Sequence, residues 1–132
     1  MHSIEQAIPA MHRPHVIIVE DEPISRRALA AIMVAEGYRT SAYTCAEDAL
    51  TSEGHHGGPC VVLADLNLPG MSGIEFIHRM GDFDRAIFPV LITAAGGAEF
   101  DDAQSDENIT CFRKPLDVKR LLDLLGERRP VD

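Results

Sequence analysis

Short apolar runs alternate with amphipathic stretches along most of the chain, a pattern that predicts five strands, each followed by a helix. The predicted strands are His15–Val19 and residues 38–43, 60–64, 88–92 and 109–113. Continuous β-branched runs of this kind are typical of strands buried on both faces. We therefore expect an α/β fold with a parallel sheet covered on both sides, most simply an open doubly wound sheet.

The predicted helices differ in how clearly an apolar face is marked. Helices are expected from Pro23 to the Gly37 stop, over 45–53, around 74–80 and over 117–126. Apolar residues follow helical spacing in the first and the last of them: Ile24, Ala28, Leu29, Ile32 and Ala35, then Val118, Leu121, Leu122 and Leu125.

The fourth helix is the weakest predicted element. Its segment, 96–108, reads GGAEFDDAQSDEN, where two glycines precede five carboxylates. Only Ala98, Phe100 and Ala103 can face a core. We expect this helix to be short, frayed or absent.

Length and charge narrow the class of protein. The chain has 132 residues and a formal net charge of −9, which suits one globular domain and disfavours direct binding to nucleic acid or an anionic membrane. We place the domain at 14–126, between a flexible N-terminal tail, 1–13, and a C-terminal tail, 127–132. Without an apolar run for a signal peptide or a membrane span, we expect a cytoplasmic protein.

Cysteines and histidines offer weaker signals. The three cysteines are far apart along the chain, which favours buried thiols in a reducing compartment over a disulfide frame, a zinc site or a reactive thiol. His55 and His56 lie in a glycine-rich segment with no third ligand near in sequence. A solvated loop is favoured over a metal site there.

Polar side chains follow four of the predicted strands. They are Glu20 with Asp21, then Asp65, Thr93 and Lys114. Each alone has a simpler explanation: Asp21 suits a helix N-cap, Asp65 a turn and Lys114 a surface cation. The carboxyl ends of parallel strands share one edge, however, so four such features together indicate a site.

These residue types fit phosphoryl transfer. Three crowded carboxylates repel one another, and hard oxygen ligands favour Mg²⁺ as the balancing cation. Asp65 can act as a carboxylate nucleophile that forms an acyl phosphate. Lys114 and Thr93 can stabilise the oxygens of the incoming phosphoryl group.

Four segments resemble the signature blocks of response-regulator receiver domains: VIIVEDEP, VVLADLNLPGMSGIEFI, VLITAA and FRKPLD. The resemblance spans about residues 15–126, and the block around Asp65 is its most specific part. It implies a flavodoxin-like fold with strand order 2-1-3-4-5. It also implies phosphoryl transfer from a phosphohistidine on a sensor histidine kinase or a histidine phosphotransfer protein, with output through contacts to a downstream protein.

The resemblance also assigns roles to residues. Asp65 would be the phosphoacceptor, Asp21 and the backbone carbonyl of Asn67 would bind Mg²⁺ together with Asp65, and Glu20 would hold the metal through water. Thr93 would be the switch hydroxyl and Lys114 would contact the phosphoryl group. Such a domain is no enzyme with a separate substrate, since it catalyses only its own phosphorylation and dephosphorylation. The Lys114–Pro115 bond resembles the cis peptide of the family.

The segment before Lys114 departs from the family pattern. The position three residues before the lysine is usually aromatic, and here it is Cys111, with Phe112 next. Thr93 and Lys114 are about one residue closer in sequence than usual, and Glu107-Asn108 replaces the usual Gly-Ala pair. Either Phe112 fills the aromatic role or the aromatic switch is absent. In the second case, output would come mainly from ordering and disordering of 96–108.

Two other functions remain as alternatives. A phosphatase that forms an aspartyl phosphate would need a general acid two residues after the nucleophile, where this chain has Asn67. A receiver-like scaffold that works without phosphorylation would not need the complete acidic set. A nucleotide-binding turn is excluded, because Glu20 to Pro23 is acidic where glycines would be required.

Overall fold

Five parallel strands form one sheet in the order β2-β1-β3-β4-β5, as predicted. The structure is a computed structural model that describes residues 14–54, 58–83, 86–94 and 96–127. The predicted N-terminal tail, the pair His55-His56 and residues 128–132 lie outside this part of the chain. The strands are β1 His15–Val19, β2 Thr40–Tyr43, β3 Cys60–Ala64, β4 Ile87–Thr93 and β5 Thr110–Arg113. The helices are α1 Pro23–Ala35, α2 Ala46–Glu53, α3 Gly73–Gly81, α4 Gly97–Gln104 and α5 Val118–Glu127.

Each face of the sheet carries its own apolar core. On one face, Ile17, Val62 and Leu91 of the central strands pack with residues of α2, α3 and α4, among them Phe76 and Ala103. The other face packs against α1 and α5, through Met33, Leu121 and Leu125. Successive residues of a strand point to opposite faces, so the continuous apolar runs fill both cores at once.

The turn after α1 explains why β2 starts later than predicted. Gly37 has a φ of 89° and follows the C-cap residue Glu36. The N–H of Tyr38 donates to the carbonyl of Met33 at 3.1 Å, and that of Gly37 donates to Val34 at 2.9 Å. These bonds close the helix with a left-handed glycine cap. Tyr38 therefore belongs to the helix end, and the strand begins at Thr40.

The predicted buried stripe of α1 is partly wrong. Ile24 is 76% exposed, and Ala28 and Ala35 are exposed as well. The residue that reaches the core is Met33, with Leu29 and Ile32 half-buried beside it. Apolar residues surround this helix on almost every side, so their spacing alone does not mark the face that meets the sheet.

The fourth helix is short, as predicted, with eight residues from Gly97 to Gln104. Phe100 and Ala103 anchor it in the core, with exposures of 6% and 2%. Ala98, the third predicted anchor, is exposed. The guanidinium of Arg113 on β5 lies 4.6 Å from the centre of the Phe100 ring and adds a cation–π contact between helix and sheet.

The last strand presents Cys111 and Phe112 to opposite faces, as the alternation of a strand requires. Cys111 packs half-buried against the core below α4, whereas Phe112 is buried on the α5 side, with the Arg120 guanidinium 5.4 Å from its ring. Phe112 thus lies on the face away from α4. Of the three cysteines, only Cys60 is fully buried, which corrects the expectation for Cys45 and Cys111; none forms a disulfide.

Both edges of the sheet are short. β2 and β5 have four residues each, and their side chains are mostly half-buried or exposed. On β2, the Ser41 hydroxyl lies 2.8 Å from Nε2 of His15, a buried residue of β1. Within the described residues, no helix is long and apolar enough to cross a membrane.

Gly73 allows α3 to start directly against the end of β3. A Cβ atom at this position would overlap the carbonyl oxygen of Asp65 and touch Leu91. We expect Gly73→Ala to lower the free energy of unfolding by about 2 to 3 kcal/mol, because the backbone of α3 would have to move. Urea denaturation measures the change.

Gly81, at the other end of α3, provides the matched control. Nothing lies within 4 Å of a Cβ built there. Gly81→Ala should change the free energy of unfolding by less than about 1 kcal/mol, in the stabilising direction. Equal effects of the two substitutions would contradict the proposed close approach at Gly73.

Candidate functional site

Three acidic side chains meet at the carboxyl ends of β1 and β3. Glu20 and Asp21 follow β1, and Asp65 follows β3. Each offers one carboxylate oxygen, and these atoms all lie within 4.8 Å of one another. Glu20 is buried, Asp65 is half-buried and Asp21 is exposed. Three oxygen ligands at this spacing, with one side open to water, fit a hard divalent cation.

Lys114 contacts two of the three carboxylates. Its Nζ donates to Oε1 of Glu20 at 2.6 Å and to Oδ2 of Asp65 at 3.1 Å. The side chain of Lys114 is 28% exposed. Burial by itself lowers the pKa of this ammonium, but its hydrogen bonds and charge interactions with Glu20 and Asp65 outweigh burial and raise the pKa.

The turn between β1 and α1 is built around Glu22 rather than Asp21. Glu22 caps the helix and accepts hydrogen bonds from the N–H groups of Ile24 at 2.9 Å and Ser25 at 3.1 Å. These donors lower the pKa of Glu22. The simpler explanation of Asp21 as the N-cap is therefore wrong, and its carboxylate is left to face the cluster.

A short turn after β3 fixes the orientation of Asp65. Its backbone N–H donates to the Val19 carbonyl at 3.1 Å, which continues the pairing of β1 with β3. Its Oδ1 accepts a hydrogen bond from the N–H of Asn67 at 2.9 Å. The other carboxylate oxygen, Oδ2, faces Lys114. The two oxygens of Asp65 thus have separate partners.

Thr93 and Lys114 are brought together by the last two strands. Thr93 ends β4 and is 1% exposed. Its carbonyl accepts a hydrogen bond from the backbone N–H of Lys114 at 3.0 Å. The Lys114–Pro115 peptide bond is cis, in agreement with the expectation from the resemblance. All the predicted site residues therefore lie at one edge of the sheet.

Two residues that contact this edge were not predicted from sequence. Glu47 of α2 accepts a hydrogen bond from the N–H of Met71 at 3.3 Å and lies against Gly70, whose φ is +78°. Arg26 of α1 donates from Nη1 to the carbonyl of Glu20 at 3.0 Å. Both are charged residues on helix surfaces, where sequence alone favours a solvated side chain.

The sequence matches the family model of the response regulator receiver domain over residues 16–126. The chain belongs to this family. The match includes every residue of the site described above. It therefore confirms the family that the four sequence blocks resemble.

Relatives and solved structures agree with the assignment. Sporulation initiation phosphotransferase F of Bacillus subtilis is 32% identical over 92% of this chain and 98% of that protein. The two-component response regulator PhoP of Pseudomonas aeruginosa is 37% identical over 62% of this chain, but that match spans only 36% of PhoP. The crystal structure of a response regulator receiver protein from Pseudomonas putida superposes with a TM-score of 0.73 and 23% sequence identity. The match covers 88% of this chain and 98% of that protein's chain, and it supports the fold.

Lys114 should stabilise the metal-free receiver domain. Its raised pKa means that the folded state holds the ammonium proton of Lys114 more tightly than the unfolded state does. The stabilisation is therefore present at neutral pH and is lost only as pH rises through the folded-state pKa. We expect Lys114→Met to lower the free energy of unfolding by about 2 kcal/mol, below the range for fully buried ion pairs because solvent reaches the site. Urea denaturation at pH 7 with a chelator measures this.

Lys119→Met is the control for loss of a positive charge. Lys119 pairs with Asp123 at 3.1 Å on the surface of α5, and its side chain is 87% exposed. Its substitution should change the free energy of unfolding by less than about 0.5 kcal/mol. If both variants lose equal stability, the role given to Lys114 is refuted.

Proposed function

We propose that this receiver domain accepts a phosphoryl group on Asp65 from a phosphohistidine of a sensor histidine kinase or a histidine phosphotransfer protein. The observation that carries the proposal is the position of Asp65. Its carboxylate contacts Lys114 and lies in the cluster with Glu20 and Asp21. Glu20 also contacts Lys114, but it is buried, whereas Asp65 is half-buried and can be reached by a phosphodonor. A nucleophile in this position has a cation and a metal-binding pair beside it.

The chemistry is an in-line displacement at phosphorus. An Asp65 oxygen forms the new bond to phosphorus while the bond to the histidine nitrogen breaks, and the imidazole leaves with the electron pair. Lys114 would stabilise the phosphoryl oxygens by charge, and Thr93 would do so by its hydroxyl. Attack by water at phosphorus then breaks the bond to the Asp65 oxygen, which restores the carboxylate and releases inorganic phosphate. The domain would catalyse only these two steps on itself.

Mg²⁺ is the cation that best fits the cluster. Asp21 and Asp65 would bind it directly, together with the backbone carbonyl of Asn67, and Glu20 would bind it through water. The partners in the structure support this ranking, since Glu20 is buried and its Oε1 is held by Lys114, whereas Asp21 is exposed. When bound, Mg²⁺ would neutralise the carboxylates and polarise a phosphoryl oxygen.

An apolar groove beside Lys114 would receive the phosphodonor. It has a volume of about 240 Å³ and is lined by Ala28, Leu29 and Pro115 among others. Ile24, which is 76% exposed, lies on the same helix one turn before Ala28. An apolar surface next to the reacting carboxylate suits a helix that carries the phosphohistidine.

The free cysteines fit a reducing compartment, and we place the protein in the cytoplasm.

Output would depend on the segment around α4. Cys111 is too small to act as the aromatic switch, and Phe112 is buried on the α5 side. α4 is held by two buried residues and by the stacking of Arg113 on Phe100. We propose that phosphorylation changes the order of 96–108 and thereby the contacts to a downstream protein.

Phosphorylation of Asp65 is tested by labelling with a small phosphodonor. We expect acetyl phosphate and Mg²⁺ to add one phosphate, seen by intact mass, and Asp65→Asn to abolish it because an amide is no nucleophile here. Asp82→Asn, an exposed residue at the end of α3, is the control and should label like the wild type. Undiminished labelling of Asp65→Asn would refute the site, and an unlabelled wild type would favour a phosphorylation-independent scaffold.

The ranking of the metal ligands is tested by calorimetric titration with Mg²⁺. Asp21→Ala removes a direct ligand and should weaken binding by about 100-fold, whereas Glu20→Gln should weaken it by about 10-fold or less. Asp48→Asn on α2, an exposed carboxylate, controls for the change in net charge. The reverse ranking of the two site variants would contradict the assignment.

A further inference from the structure

Arg26 ties the acidic pair to the first helix. Its Nη1 donates to the carbonyl oxygen of Glu20 at 3.0 Å and to that of Asp21 at 3.4 Å. The side chain is half-buried, and the bond to Glu20 is shielded from solvent in part. One guanidinium nitrogen thus contacts the backbone of both acidic residues that follow β1.

Other bonds hold the opposite side of the same turn. The N–H of Glu20 donates to the Tyr43 carbonyl at 3.0 Å, which extends the pairing of β1 with β2. The N–H of Glu22 donates to Oε2 of Glu20 at 3.3 Å. The N–H groups of Glu20 and Glu22 are therefore engaged by the sheet and by the Glu20 carboxylate, while Arg26 engages two carbonyls of the turn.

We infer that Arg26 is a positioning residue for metal binding. It would hold the β1–α1 turn so that the carboxylates of Glu20 and Asp21 converge on Asp65 against their mutual repulsion. The inference rests on the proposed function, in which these carboxylates bind Mg²⁺. Arg26 would act through the backbone of the ligands, without contact to the metal or the phosphoryl group.

The direction in which Mg²⁺ affinity changes when Arg26 is removed distinguishes a positioning role from a purely electrostatic one. A cation close to an acidic cluster opposes the binding of another cation, so its removal should tighten Mg²⁺ binding if Arg26 acts only by its charge. If Arg26 positions the ligands, its removal should weaken Mg²⁺ binding. Arg27, the next residue along α1, is exposed and carries the same charge, so it provides a matched control.

The experiment is a calorimetric titration of the full chain with Mg²⁺ alone. Arg26→Met keeps the apolar stem and removes the donor, and should weaken Mg²⁺ binding by about 10-fold. Arg26→Lys should fall between this variant and the wild type, about threefold weaker than the wild type, because an ammonium can donate but lacks the reach of a guanidinium. Arg27→Met should bind as tightly as the wild type or slightly more tightly.

Labelling with acetyl phosphate adds a second readout. In Arg26→Met the Mg²⁺ concentration for half-maximal rate should rise about 10-fold, whereas the rate at saturating Mg²⁺ should stay within about twofold of the wild type. A general loss of structure would also lower the rate at saturating Mg²⁺. Circular dichroism checks folding, and if Arg26→Met does not fold, Arg26→Lys decides: weaker Mg²⁺ binding supports the inference and unchanged binding overturns it.

The outcomes distinguish this inference from the proposed function. If the wild type neither binds Mg²⁺ nor becomes labelled on Asp65, the proposed function fails and the inference fails with it. If the wild type does both and Arg26→Met binds Mg²⁺ as tightly as Arg27→Met, or more tightly, only the role of Arg26 is overturned.

Discussion

Repulsion among three carboxylates is the constraint on which the site depends. At an effective dielectric constant of about 20, like charges about 5 Å apart repel by about 3 kcal/mol, and Glu20, Asp21 and Asp65 form three such pairs. Lys114 offsets part of this cost through its contacts with two of them. The fold therefore has to hold the acidic side chains together while it leaves room for a further cation.

The backbone around the site meets this requirement by several local devices. Glu22 caps α1, so that Asp21 is free to face the cluster. The N–H of Asn67 holds one oxygen of Asp65 and leaves the other to Lys114. Gly73 lets α3 begin in contact with the Asp65 carbonyl. Each device acts on a turn, while the parallel sheet fixes where the turns meet.

Strong local signals predicted the strands and the positions of the site residues, whereas the strand order was implied by the family resemblance. Apolar runs mark the buried strands, and the acidic pair, Asp65 and Lys114 each follow one of them. The roles in catalysis and metal binding remain predictions. The orientation of α1 was not predictable, because apolar residues surround it on most sides and Ile24 is exposed.

Contacts made by long side chains also could not be predicted from the sequence. Arg26 and Arg27 are adjacent and identical in type, and only the rotation of α1 relative to the sheet decides which one reaches the Glu20 carbonyl. The same applies to Glu47, whose bond to Met71 joins residues that are distant in the chain. Such pairings depend on tertiary geometry, for which residue spacing carries no signal.

The short edges of the sheet have a consequence for association between copies of the domain. An edge strand exposes unpaired N–H and carbonyl groups that can template pairing with another chain. Here both edges are limited to four residues, and they carry Thr40 and Ser41 on one side and Thr110 and Arg113 on the other. Short, polar edge strands of this kind disfavour aggregation through either edge. Apolar substitutions on these two strands would remove that protection.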